Sequence, residues 1–378
     1  MRLFTNLTGL LWCVVMAAAP GQGVAQTEQM PLRYAHGFQV AYFDGHKVVT
    51  VTTSGEGEAE SHRYVLVPKG HATPPGFTDD QKVEIPIERL ITTSTTYLPH
   101  LAALGVVGSL VGVDDIQYVN TPAVNNRYQA GQIAEVGHGA TIDLERILSL
   151  NADLVMTMAA GLGQVNAYPT LKGAGVPVVI NGAYAEPSLL GRTEWIKFIA
   201  AFYDKEAAAA ALFDAIVAQY QAFTDLVKNL PKEKRPTVYG GSLWRGTWYV
   251  SGGKTYSAEL IKDAGGAYVW ADDDSRQSLS LDFEAVYDRA HGADFWLPMR
   301  NEWHSLGDVI NTDERYGGLA AFQSGSVYNA NARLNTNGGN DYWETGLVEP
   351  HVILADLIHI FHPGVLPNHL LKYYKKLE

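Results

Sequence analysis

Apolar positions along this 378-residue chain change period several times, and each change marks a boundary. Between residues 32 and 68 they alternate with polar ones. FQVAYFDGHKVVTVTT reads as strand, tight turn at Asp44-Gly45 and strand, and RYVLVP as a third strand of a small antiparallel element. GHATPPGFTDD, residues 70–80, is a loop by its proline and glycine. From residue 86 strand-like and helical runs alternate: PIERLITTS, the short helix TYLPHLAALG closed by Gly105, then SLVGVD, DLVMTM and VPVVIN. Such alternation predicts parallel βαβ units.

Residues 188–230 break the rhythm. They hold no proline and one glycine, and Leu212, Ile216, Tyr220 and Phe223 recur at helical spacing, which predicts one or two helices, the last running from 206 to about 230. Pro231 and Pro236 end the run. Alternation then restarts with TVYGGSLW, the helix SAELIKDAGG capped by Gly265, a helix over 282–290, the strands ADFWLP and SVYNAN, and a last helix PHVILADLIHIF stopped before Pro363. The fold class is therefore α/β: two βαβ lobes, residues 86–187 and 231–378, joined by a long backbone helix within 188–230. An N-terminal antiparallel β element over 26–85 precedes them. One unit occurs twice. IDLERILSLNADLVM in the first lobe and LDFEAVYDRAHGADFWLP in the second each run from an Asp-apolar-Glu start through a short helix into a buried strand.

The start of the chain adds a location. Arg2 is followed by the apolar run LLWCVVMAAA and then PGQGVAQTEQ, which predicts a signal peptide over residues 1–25 with cleavage after Ala19 or Ala25, and so a periplasmic protein. The run is too short for a membrane anchor. Cys13, the single cysteine, falls inside it, and the bulky Trp12 before it argues against lipidation, leaving a mature chain without disulfides. With 28 basic and 40 acidic residues the net charge is −12, which argues against nucleic acid as a partner.

The order of these blocks resembles the helical-backbone periplasmic substrate-binding proteins of ABC importers, the class that carries ferric siderophores, haem and cobalamin. Matching text runs from RLITTSTTYLPHLAALGVVGSLVGVD through IAEVGHGATIDLERILSLNADLVMT, GVPVVIN, WYVSGGKTYSAELIKDAGGAYVW and SLDFEAVY to His362-Pro363. The β element before residue 86 is outside that pattern. The resemblance implies a monomer that captures a small molecule between its lobes and docks on a permease dimer. Glu145 in IDLERI and Glu284 in LDFEAV match the positions at which the family presents an acid to each permease subunit. The plain physical alternative is that each glutamate favours its helix N-terminus.

In open α/β sheets ligands lie beyond the carboxyl ends of the strands. In lobe two those ends bring Trp244 and Arg245, then Arg300 with Trp303, then Arg333, and guanidinium forks suit anionic oxygens. Trp248 and Trp343 add aromatic surface there, as Tyr97, Tyr118 and Tyr184 do in lobe one. An anionic iron chelate is the cargo this chemistry favours, ahead of cobalamin or haem, and no resident cofactor is expected because the metal arrives inside its chelator. The 12 histidines form no HExxH, and no G-x-S-x-G, Walker loop or complete GxGxxG is present. The rival from another class is an exported two-lobed hydrolase using carboxylates such as Asp341 and Glu344. A continuous helix between the lobes predicts only slight closure on ligand binding.

Overall fold

The computed structural model describes residues 26–53, 60–138, 141–158 and 168–378. The expected signal peptide and Cys13 lie outside them.

The alternating N-terminal text forms a five-stranded sheet: β1 (Glu28–Gln29), β2 (Phe38–Phe43), β3 (His46–Thr53), β4 (Glu60–Pro68) and β5 (Lys82–Ile85), in that order. All pairs are antiparallel except β4 with β5. Asp44-Gly45 is the two-residue turn between β2 and β3, and Gly45 takes the positive φ, +78°, that a tight hairpin needs. One face of the sheet buries Phe38, Val40, Val49, Val51, Tyr64 and Leu66. It packs on α5 (Leu189–Ala201), with Phe38 against Trp195 and Phe198 at ring distances of 4.7 and 5.5 Å. Two buried carboxylates fasten this contact. Glu194 accepts hydrogen bonds from the backbone N–H groups of Arg33, Tyr34 and Ala35, and from Lys197 Nζ at 2.8 Å. Glu186 accepts from those of His36 and Gly37 and from Trp195 Nε1. Five successive backbone donors thus find charged acceptors, the arrangement in which burying a carboxylate is tolerated.

Lobe one is a parallel sheet of β6 (Leu90–Thr92), β7 (Leu110–Val113), β8 (Ala134–Glu135), β9 (Leu154–Thr157) and β10 (Val178–Ile180), in the order β10-β9-β6-β7-β8. Of the expected strand PIERLITTS only Leu90–Thr92 pairs. Helices α1 (Leu98–Ala103), α2 (Pro122–Gln129), α3 (Leu144–Ser149) and α4 (Tyr168–Gly173) connect the strands. Gly105 ends the α1 turn at φ +69°.

Residues 188–230 resolve into two helices, α5 and α6 (Glu206–Val227), parted by a turn in which Asp204 has φ +53°. Every residue of α5 except Arg192 is buried, so it is a core helix. The longer α6 is amphipathic, burying Ala209, Phe213, Val217 and Tyr220 at three- and four-residue steps and Val227 two turns on.

Lobe two is built on β11 (Thr237–Gly240), β12 (Ser242–Trp244), β13 (Thr247–Ser251), β14 (Ala267–Tyr268), β15 (Ser278–Leu281), β16 (Phe295–Leu297), β17 (Tyr328–Asn329) and β18 (Lys375–Lys376). Its parallel sheet has the order β14-β11-β16, and β12-β13-β15 form a separate antiparallel sheet. TVYGGSLW is therefore two strands. Gly241 divides them at φ +76°, where a Cβ would sit 1.8 Å from the Tyr249 carbonyl oxygen. Helices α7 (Tyr256–Asp263), α8 (Phe283–Ala290), α9 (Leu306–Thr312), α10 (Ala320–Gln323) and α11 (Pro350–Phe361) complete the lobe. The core here is aromatic, with Trp296 at 5.8, 5.6 and 5.0 Å from Trp248, Trp303 and Tyr316.

Candidate cargo cleft

The carboxyl ends of the parallel strands define one face of each lobe, and segments that follow those ends, residues 117–121 and 335–344, meet each other across the lobes. In lobe two, β12 and β13 meet in a two-residue turn, Arg245-Gly246, with φ +52° and +85°. Arginine at such a position is strained, by roughly 1–3 kcal/mol, as side chains at functional sites often are. Met299, just before Arg300, is a second non-glycine residue at positive φ, +58°. These two turns carry the arginines. The Trp244 indole, 52% exposed, has the Arg245 guanidinium at 5.5 Å and that of Arg300 at 5.3 Å, a cation-aromatic platform. Arg300 is held in place by the Leu243 carbonyl at 3.0 Å and by Glu302, while its buried Nε has no partner among the described residues.

Some expected cargo residues lie elsewhere. Trp248 is fully buried in the lobe-two core and donates from Nε1 to the Gly240 carbonyl. Trp303 is 1% exposed, bonded to Thr312, and backs Arg300 at 5.4 Å. Tyr97 is 3% exposed, with its hydroxyl on the Asn181 carbonyl at 3.4 Å. These three support the cleft from behind. Tyr118 is exposed, and Tyr184 and Trp343 are half-buried. Arg333 is exposed but its Nε is committed to Asp341 at 2.6 Å.

Three features had no forerunner in the pattern. Arg192 of α5 lays its guanidinium on Tyr256 at 3.9 Å and donates to the Tyr184 carbonyl, so it touches both lobes, and its Nε is buried without a partner among the described residues. Tyr256 in turn meets the Trp343 ring edge-on at 6.3 Å. The third is a strap, residues 333–345 of lobe two, lying on residues 117–121 of lobe one. Glu344, 1% exposed, accepts hydrogen bonds from the backbone N–H groups of Asn120 and Thr121, both at 2.7 Å, and from the Thr121 hydroxyl. Burial raises its pKa against those donors. Asn335 and Asn337 donate to the Gln117 carbonyl. At Gly339 a Cβ would fall 2.2 Å from the Tyr118 oxygen, so the two backbones approach as closely as only glycine allows. Asn340 ties the strap back to Asn301, next to Arg300. Asp341 and Glu344, the carboxylates of the hydrolase reading, are both bound into this strap.

The repeated acid-headed helices are alike at the atomic level. Asp143 and Asp282 are the N-caps, accepting from Arg146 N at 2.8 Å and Ala285 N at 2.7 Å. Glu145 and Glu284 follow two residues later and are exposed. They differ in company. Glu284 lies 3.4 Å from Arg315, which also grips Asp313, whereas Glu145 has no ion pair among the described residues.

A family model for periplasmic binding proteins matches residues 90–334, and the chain belongs to that family. It is a two-lobed substrate-binding protein of the ABC-importer class, which binds small molecules for delivery to a permease. An uncharacterized lipoprotein of Methanocaldococcus jannaschii is 25% identical over 365 residues, covering 91% of this chain and 85% of that protein. So wide a match must enter the N-terminal β element, which the family model omits. Among solved structures, the molybdate-binding protein MolA of Haemophilus influenzae aligns with TM-score 0.58 at 15% identity, over 76% of this chain and 90% of its own. A protein of the ABC-type Fe3+-hydroxamate transport system of Saccharomonospora viridis aligns with TM-score 0.54 at 19% identity, over 73% and 94%. Both support the fold. Among the described residues no group of three or more His, Cys, Asp or Glu side chains is placed to hold a metal ion, and no helix is long and apolar enough to cross a membrane.

Proposed function

We propose that this protein captures a ferric siderophore or a similar anionic iron chelate between its lobes and delivers it to the permease dimer of an ABC importer. The observation that carries this reading is the exposed Trp244 flanked by Arg245, in the turn between β12 and β13, and by Arg300, just beyond β16. An iron chelate presents metal-bound oxygens bearing negative charge on a partly apolar body. A guanidinium pair supplies the donors for the oxygens, and the indole supplies contact area for the body. The iron-hydroxamate relation of one structural neighbour agrees with this choice. The protein works outside the cytoplasmic membrane, as a monomer, with Glu145 and Glu284 facing the permease. The lipoprotein description of the archaeal relative accords with an exported chain.

Quenching of tryptophan fluorescence tests the cargo. Ferric hydroxamate, catecholate and citrate complexes are titrated beside haem, cobalamin and molybdate. Saturable quenching by a ferric chelate is expected, weakened about 10²- to 10⁴-fold in the Arg245→Ala, Arg300→Ala double variant by loss of two charge-assisted hydrogen bonds worth about 1.5–3 kcal/mol each. Binding of haem, cobalamin or molybdate with indifference to every iron chelate overturns the assignment.

A further inference from the structure

The arginine platform of lobe two leaves a feature of lobe one unexplained. Asp114 is the first residue beyond β7, on the face where the strand ends open to the cleft. Its Oδ1 is buried and has no hydrogen-bond partner among the described residues. Residues from the ends of two other strands of the same sheet interact with it electrostatically: Tyr97, which follows β6, and His138, which follows β8, while Tyr184, which follows β10, interacts with Tyr97 in turn. Asp115 is the remaining charged neighbour and repels it, its own carboxylate being spent on the Gln117 backbone N–H at 3.1 Å and side-chain amide at 2.6 Å. The backbone N–H groups of Asp114 and Asp115 lie against the carboxyl, which leaves the buried Oδ1 as the unsatisfied atom. Among the described residues Asp114 is the one carboxylate with a buried oxygen left without a partner, and a buried polar group in that state calls for an explanation. Nothing in the fold of lobe one requires an acid at this position, since the adjoining turn is already capped by Asp115.

Taking the cleft as the cargo site, as proposed above, we infer that Asp114 receives a hydrogen-bond donor of the cargo, a protonated amine, while the arginines of lobe two hold the oxygens at its other end. The cargo is then a dipolar chelate with one fixed orientation between unlike rims. Burial pushes the Asp114 pKa up to about 6 in the free protein, with Asp115 adding to the shift and His138 opposing it. A bound ammonium favours the carboxylate, so binding lowers that pKa and releases a proton near pH 6. Affinity therefore rises with pH up to about 6 and levels off above it.

The test uses two probes: a ferric tris-hydroxamate complex with a free terminal amine, and the same complex acetylated on that amine, titrated calorimetrically into the full chain. The free-amine complex is expected to bind at least tenfold tighter at pH 7.5, with affinity falling below pH 6 and a proton released in that range. Asp114→Asn is expected to abolish the preference and flatten the pH profile, and Asp114→Glu to restore part of both. If Asp114→Asn does not fold, the proton release of the wild-type protein on binding the two probes decides the question alone. Equal binding of both probes by the wild-type protein overturns this inference and leaves the cleft reading standing. An equal loss for both probes in Asp114→Asn with an unchanged pH profile reduces Asp114 to a structural role and overturns it too. Failure of either probe to bind, with every other chelate also ignored, removes the cleft reading and this inference with it.

Discussion

The two lobes share a plan and differ in what they put at its edge. Both are built on a parallel sheet, and both carry an Asp-capped helix with an exposed glutamate two residues on. Lobe one edges the cleft with hydroxyls, tyrosines and an acid, while lobe two edges it with arginines and an exposed tryptophan mounted on strained turns. The plan is thus common property and the chemistry is local. Turns that tolerate Arg245 and Met299 at positive φ are over-determined by the aromatic core beneath them, and lobe one has no comparable layer of tryptophans under its rim.

The largest expected effect separates two tryptophans four residues apart. Trp248→Ala removes a fully buried indole and is expected to destabilise the protein by about 3–5 kcal/mol. Trp244→Ala is expected to leave the unfolding midpoint in urea nearly unchanged and weaken ligand binding by about 0.5–2 kcal/mol. Similar losses of stability from both changes erase the distinction between core and rim.

Acid sensitivity is the next contrast. His100 on α1 is 2% exposed, and burial lowers its pKa to about 4 from the ordinary 6.5. Between pH 6.5 and 4 the unfolded chain takes a proton the folded one refuses, so stability falls with pH across that window, by roughly 3 kcal/mol in total. His351 and His362 in lobe two shift the same way but are only half-buried. Asp114 and Glu259, whose pKa values burial raises to about 6 and about 7, act in the opposite sense over the same range, so the expected outcome in urea unfolding at several pH values is that His100→Leu gains stability relative to wild type as pH falls through the window. An unaltered slope in the variant moves the effect to other groups.

Glu344 tests whether the lobes are held at a fixed separation. Glu344→Ala leaves its three donors across the cleft without their acceptor and is expected to cost about 1–3 kcal/mol. It should also widen the distance between spin labels placed on the two lobes. In the wild-type protein ligand is expected to change that distance only slightly, because the strap already joins the rims. A large ligand-induced closure in wild type argues against a latched cleft.

The smallest effect concerns the exposed acids. Exposed ion pairs contribute about 0.2–1 kcal/mol each, so Glu145→Lys and Glu284→Lys singly are expected to lower uptake in cells modestly and the double change more, with ligand affinity intact. Arg315 already lies beside Glu284, so a lysine there also meets an internal like charge. Normal uptake by the double variant reduces the repeat to an echo of the fold.

Much of the frame was legible because local rules enforce it. Alternation marked β2, β3 and β4, and Gly45, Gly105 and Gly265 each stand at the turn or helix end that needs positive φ. The acid-headed helices were legible from Asp143 and Asp282 with their flanking apolar residues. Trp248 lies in the core because Arg245-Gly246 is a hairpin turn, which the run LWRGTWY does not announce. With that turn in place, alternation puts Leu243 and Trp248 on the buried face and Trp244 and Tyr249 on the open one. Arg192, and the role of Glu344 in joining the lobes, are illegible for a different reason. Their partners are fixed only by how distant segments meet, and no spacing within one segment records that Glu344 will bind Thr121.

The two carboxylates that hold the N-terminal sheet also set an order of events. Glu186 and Glu194 reach back about 150 residues to their backbone donors at positions 33–37, so the first strands of the protein have no complete partner until α5 has formed. Contacts of such sequence separation close late. Residues 33–37 are therefore among the last to be fastened. Any shortened version lacking them strips the two carboxylates of their five backbone donors and leaves only Lys197 and Trp195 to face them, so the β element is a necessary part of the finished molecule and not a removable ornament.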